Sequence, residues 1–361
     1  MTKKASEPAC TTTPSFLHLS VGVVGSIVVA TAGGLLWHFC SLPLPWLVGS
    51  LYAVALARIA GLALIPPPGA RQGGQWIIGI SMGLYFTSTV VAEVISHAPL
   101  IIGMALLSLM MGIAGATAMF RWRQADLSTA FFSAMPGGAS EMANLSDIWC
   151  ASVDLVAAAH ATRVMLVVLI VPLALTISGN HGDGQMLIAS RPVEWEHFPL
   201  MLAASLCGVG LFRLLRLPNA WVLGTLSAIA ILGVNGQPLS GLPGWLTAGG
   251  QILIGVSLGC RFGPGFLRKA PAFLVSILFI SLFFLAATAS LAFLLAGPTH
   301  LAFPGLVLSF APGGIAEMSI TASHLNLAVP LVVASHVVRT AMLTLLAPLG
   351  FRVFRRLNRV R

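Results

Sequence analysis

Pro136-Gly137-Gly138-Ala139-Ser140-Glu141-Met142 and Pro312-Gly313-Gly314-Ile315-Ala316-Glu317-Met318 decide the fold, because they are one phrase written twice, 176 residues apart. The same shift carries Gly73-Gly74-Gln75, Gly79, Ser81, Gly83 and Phe86 onto Gly249-Gly250-Gln251, Gly255, Ser257, Gly259 and Phe262. It carries His160-x-x-Arg163 onto His336-x-x-Arg339 and Pro172 onto Pro348, while Trp46-x-x-Gly49 meets Trp221-x-x-Gly224 at 175. Ordered matches at one near-constant offset mark an internal duplication.

The chain around these motifs is apolar. Of 361 residues, 57% are hydrophobic and 8% charged, against about 25% charged in an ordinary soluble domain. Each half holds six apolar segments: 16–37, 44–65, 73–93, 98–120, 127–150 and 152–178, then 198–215, 219–234, 245–262, 271–296, 302–322 and 328–351. Many approach the roughly 20 residues that a spanning helix needs. The run 16–37 is long for a secretion signal and has a counterpart in the second half, so it reads as a retained first helix. The fifth segment of each half is interrupted by Pro-Gly-Gly. Proline removes a helical hydrogen bond and paired glycines relax the backbone, which predicts a broken or re-entrant element.

Charge sets the orientation. With four crossings followed by one net crossing from segments five and six of each half, fifteen basic residues share one side, among them Lys3, Lys4, Arg71, Arg121, Arg123, Arg213, Arg216, Arg261, Arg268 and Lys269, while the other holds Arg191. The positive-inside rule selects this scheme. An odd number of crossings per half inverts the second half relative to the first. The expectation is an all-α polytopic membrane protein of two inverted repeats, each with about five crossing helices plus one Pro-Gly-Gly element. The repeats are residues 16–179 and 198–351, between a tail 1–15, a linker 180–197 on the far side and a basic tail 352–361.

The net charge of +9 falls in short clusters between apolar segments, which argues against nucleic acid as a partner. Five cysteines, none in a Cys-x-x-Cys, argue against a disulfide framework or a sulfur-ligated metal.

The polar residues retained inside apolar segments are the candidate site. Glu141 and Glu317 follow Pro-Gly-Gly at the start of a half-helix, where free N–H groups and the helix dipole favour an anion. His160 and Arg163, like His336 and Arg339, share a helical face. Inverted repeats bring such breaks together near the midplane, where transporters hold substrate and coupling ion. The candidate solute and ion site is thus Pro136, Gly137, Gly138, Glu141, His160, Arg163, Pro312, Gly313, Gly314, Glu317, His336 and Arg339. A purely structural alternative pairs Glu141 with Arg163 and Glu317 with Arg339 to close each broken element. The two readings overlap, because a structural pair can line a site. Paired Glu and His could also ligate a divalent metal, but no Glu-x-x-His or His-x-x-x-His spacing is present. Asp147 and Asp154 lack acidic counterparts and read as loop ends or as an asymmetric coupling acid. Gln75 and Gln251 read as interhelical hydrogen-bonding groups, and the Gly-x-x-x-Gly runs as close packing.

The paired Pro-Gly-Gly-x-x-Glu-Met motifs resemble those of the AbrB-type duplicated bacterial membrane proteins, over about residues 16–351. That family carries the labels "putative ammonia monooxygenase" and "AbrB family transcriptional regulator". It is similar in layout to two-repeat cation/proton antiporters and bile-acid-type symporters. The resemblance implies a bacterial inner (plasma) membrane location, with both termini cytoplasmic on the charge count. The architecture suggests an ion-coupled transporter or exporter of a small polar or anionic solute, not an enzyme. Its expected partners are the bilayer, the solute with H+ or Na+, and a second copy in a homodimer, with no cofactor and no metal. The labels keep two alternatives open: a membrane sensor affecting gene expression indirectly, and a metal-dependent monooxygenase. Cysteines placed at positions 140 and 316 are expected to label from opposite faces of intact membranes, and labelling from one face would remove the inversion.

Overall fold

The computed structural model describes residues 16–179, 192–266 and 270–359. The tail 1–15 with Lys3 and Lys4, most of the expected linker with Arg191, the pair Arg268 and Lys269, and the last two residues lie outside them. Among the described residues every regular element is a helix. The first half runs α1 (Phe16–Phe39), a π-helical turn (Pro45–Gly49) continuing into α2 (Ser50–Ile59), α3 (Ala70–Gly83), α4 (Ser88–Ser96), α5 (Ala98–Arg121), α6 (Leu127–Ala134), α7 (Ala139–Ile148) and α8 (Val153–Ile177). The second runs α9 (Phe198–Leu214), α10 (Ala220–Val234), α11 (Gly244–Gly259), α12 (Pro271–Thr299), α13 (Phe303–Phe310), α14 (Ile315–His324) and α15 (Val329–Arg359).

Among the described residues, five helices are long and apolar enough to cross a membrane: α1, α5, α8, α12 and α15. The α3–α4 pair makes a sixth only if a bend of 93° is counted within one span. This differs from the expected ten crossings. The segment 73–93 is not one rod, because the chain turns after Gly83 and restarts at Thr87, whose side chain accepts from Val90 N. The α2 helix with its π turn, α9 and α10 are apolar but shorter. The molecule is an all-α polytopic membrane protein, and its long helices turn large apolar side chains outward. Val21, Val24 and Val28 do so on α1, and Phe279, Phe283 and Phe293 on α12.

The helices sort into two bundles, each built from both halves. The first contains α1, α2, α3, α9, α10 and α11, and the second contains α5–α8 and α12–α15. Within the first bundle α3 packs on α10 and α11 packs on α2, an exchange that the duplication predicts. Glycine permits these approaches. A Cβ on Gly79 or Gly83 would strike Val222, Thr225 or Ile229 of α10, and one on Gly255 or Gly259 would strike Ser50, Leu51 or Val54 of α2. Gly33 meets Gly49 as Gly208 meets Gly224, and Gly74 lies against Gly250 and Ile254. Packing of this kind, backbone against backbone through small residues, is how helices associate where lipid removes the hydrophobic drive.

Between the bundles close backbone approach is made by α3 against α14 and α15, while buried side chains of α2, α3, α10 and α11 join those of α5, α8, α13, α14 and α15 in one apolar cluster. Hydrogen bonds that cross the seam include Tyr52 OH to Met165 O at 3.1 Å, Tyr85 OH with Ser323 Oγ at 2.8 Å, and Asn219 Nδ2 to Glu141 Oε1 at 3.0 Å. Replacing Gly74 by Ala places a methyl group on the Gly250 carbonyl and is expected to cost about 1–3 kcal/mol. The neighbouring change Gly249→Ala, which meets open space, is expected to be neutral or stabilising by up to about 1 kcal/mol. Thermal unfolding in detergent separates the two.

Candidate functional site

Each broken segment is two half-helices meeting at Pro-Gly-Gly: α6 and α7 in the first half, α13 and α14 in the second. Asp126 starts α6 by accepting from Thr129 N at 3.2 Å. The break leaves carbonyls at the end of one half-helix and N–H groups at the start of the next, and in an apolar medium each orphan is costly.

Arginine and histidine answer the carbonyls. Arg163 donates from Nη1 to Met135 O at 2.8 Å and from Nη2 to Ser133 O at 2.5 Å and Ala134 O at 3.2 Å. His160 Nε2 bonds Phe132 O at 3.1 Å. In the second half Arg339 reaches Ala311 O and Gly313 O, both at 2.6 Å, and His336 Nε2 bonds Leu308 O at 2.9 Å. His336 also bonds Arg339 through Nδ1 at 2.9 Å. All four side chains are buried. The His-x-x-Arg pairs are therefore C-terminal caps in which cations meet the negative ends of two helix dipoles. The expected structural pairs Glu141–Arg163 and Glu317–Arg339 do not form, because both guanidinium groups are engaged by carbonyls.

The motif's other residues follow from space. A Cβ on Gly137 would collide with Met142, and one on Gly138 with the Glu141 carboxylate. Gly313 and Gly314 stand in the same relation to Met318 and Glu317. Gly138 (φ −64°) and Gly314 (φ −83°) have ordinary backbone angles. The glycines thus serve here by absent bulk rather than by relaxing the backbone. Each glutamate folds over the first turn of its half-helix, near the positive end of that dipole.

Both breaks face one cavity of about 70 Å³ in the seam between the bundles, room for a few waters or one small solute. Gly137, Gly138, Glu141, His160, Arg163, Pro312, Gly313, Gly314, Glu317 and Arg339 all line it. Of the expected set, Pro136 lies against Gly112 instead, and His336 sits behind Arg339. The opposite wall comes from the first bundle and was missed in the sequence: Arg71 and Gln75 of α3, Asn219 before α10, and Arg261 after α11. Asn219 has left-handed backbone angles (φ 50°), as does its repeat counterpart Leu44 (φ 54°). The turn is shared, and only the second copy projects an amide, onto Glu141. Arg261 stands where the first half has Tyr85. For Arg71, Asn219 and Arg261, a polar residue facing an apolar or neutral counterpart was the available signal. Four arginines and two glutamates line the cavity, so its formal balance is positive. Among the described residues no three His, Cys, Asp or Glu side chains come together, and Asp147 lies exposed near the end of α7.

The caps and the carboxylates separate in their expected cost. Arg163→Met leaves three carbonyls unanswered and is expected to destabilise by about 3 kcal/mol or more. Glu141→Gln can keep the Asn219 bond and is expected to cost less than about 1 kcal/mol. Unfolding midpoints in detergent measure both, and equal losses would make the glutamate a structural element.

Comparison with known proteins places the chain. It is 26% identical over 358 residues to "Uncharacterized protein YhjN" of Bacillus subtilis (strain 168), covering 92% of this chain and 93% of that one. It is 27% identical over 315 residues to "Putative regulator AbrB" of Escherichia coli (strain K12), covering 85% of this chain and 89% of that one. No solved structure matches. The family model described as "Transition state regulatory protein AbrB" matches residues 5–355, nearly the whole chain, and the protein belongs to the AbrB family.

Proposed function

We propose that the protein is an ion-coupled secondary transporter of a small anionic solute, with its site in the seam cavity. The observation that carries this reading is the convergence of two half-helix N-termini, two carboxylates and an arginine-rich wall on one small cavity between the two bundles. Broken helices whose N-termini point at a midplane site are a recurring transporter device. Rigid-body displacement of one bundle against the other along the largely apolar seam is the corresponding motion.

The positive balance of the wall favours an anion. Glu141 and Glu317, freed from pairing with Arg163 and Arg339, are the groups that would carry H+ or Na+. A proton on either carboxylate removes a negative charge from a site bearing an anion, which links solute and proton in the same direction of affinity. The charge count supports inverted repeats in a bacterial plasma membrane with both termini cytoplasmic.

A second reading comes from the name of the Escherichia coli relative, "Putative regulator AbrB". An effect on gene expression would follow indirectly if the solute moved or sensed here controls a regulator elsewhere.

Purified protein screened by thermal unfolding against small carboxylates, inorganic anions and metabolites tests the site. A ligand at a hundred times its Kd adds about 2.7 kcal/mol. The expected result is a stabilising anion whose effect is lost in the Glu141→Gln/Glu317→Gln double variant, together with flux of that anion in proteoliposomes. Stabilisation without flux would favour the sensor, and no response across a broad panel would remove the transport reading.

A further inference from the structure

A second cavity of about 420 Å³ lies between α7, α8 and α12 and shares two walls, Ala139 and Arg261, with the central one. Asp154, in the first turn of α8, stands exposed at its rim. Four of its small residues, Ala139, Ala143, Ala157 and Ala161, correspond through the repeat to Ile315, Ser319, Val333 and Val337. On that equivalent side Ile315, Ser319 and Val333 are buried, and α14 is enclosed along nearly its whole length, whereas α7 is only partly covered. The pair corresponding to Arg261 and Asp147 is Tyr85 and Ser323, whose hydroxyls are hydrogen-bonded at 2.8 Å. One side is thus open and alanine-lined. Its copy is filled with larger side chains and bonded shut.

We propose that this alanine-lined vestibule is the route by which a small anion reaches the central cavity, and that Arg261, common to both, selects the charge that passes. The proposal rests on the transport reading and adds the entry side and the selecting residue. The route is written into the sequence, because Ala139, Ala157 and Ala161 stand where the other repeat has isoleucine or valine, while Ala158 matches Ala334. Arg261 lies within electrostatic reach of Arg71 and Glu317. An anion at its guanidinium therefore stands at the threshold of the site, while Asp154 at the rim opposes anion entry and sets a mild counter-field.

Thiol labelling tests the route independently of transport. In full-length protein with its five cysteines replaced by serine, Ala157→Cys and Val333→Cys are treated with a sulfonate and a trimethylammonium methanethiosulfonate. Rates are normalised to those on a free thiol. Ala157→Cys is expected to react at least about 10-fold faster with the anionic reagent, and Val333→Cys to react far more slowly with either. Arg261→Gln is expected to abolish the preference, Arg261→Lys to retain it, and Asp154→Asn to increase it. An inert Ala157→Cys, or a Val333→Cys of equal reactivity, would overturn the route. A preference that survives Arg261→Gln would overturn the selecting role. Labelling as expected without any solute response would leave the route standing and sink the transport reading alone.

Discussion

The structure depends on two guanidinium groups that answer the carbonyls exposed where a helix is broken inside an apolar medium. A half-helix ending in hydrocarbon leaves acceptors that water cannot reach, each costly to bury alone. Arginine is suited to this task because it is always charged and carries five donors in one plane. Arg163 satisfies three carbonyls and Arg339 two, and each neighbouring histidine satisfies one more. Because the cations are spent on carbonyls, the carboxylates of Glu141 and Glu317 are left at the mouths of the following half-helices. The chemistry of the cavity follows from that division.

Duplication supplied the scaffold, and departures from it supply the site's character. Caps, glycine contacts and left-handed turns are reproduced in both copies. Arg261 against Tyr85, Asn219 against Leu44, Asp154 against Pro330, and Ala139, Ala157 and Ala161 against Ile315, Val333 and Val337 are not. These differences collect on the cavities. A duplicated frame with identical copies would by itself give a site with two equivalent approaches, and the substitutions make the approaches unlike.

Much of this was legible in the sequence. The class followed from composition, the repeat from matched motifs, and both helix breaks from Pro-Gly-Gly at the residues where they occur. Glu141, Glu317 and the two arginines line one cavity, but the partner of each arginine was not foreseen, because backbone carbonyls leave no mark in a sequence. Arg71 and Arg261 were hidden for a different reason: orientation in the membrane already accounts for basic residues at helix ends. Asn219 was hidden because asparagine before a helix is ordinary. The turn at Leu84–Thr87 lacks the proline that announced the other breaks. The role of Gly138 and Gly314 as space for a carboxylate became visible only once the glutamate's fold over its own helix was known.

The reciprocal packing of α3 on α10 and of α11 on α2 bears on how such a chain arose. Each half carries two glycine-lined surfaces that fit only the matching surfaces of its own copy. A single half would leave both bare, and its broken helix would face no second one. Joining both copies in one chain keeps these surfaces paired and leaves each copy free to differ from the other. Arg261, Asn219 and the alanine-lined vestibule are what that freedom produced: features a pair of identical chains could only have had twice.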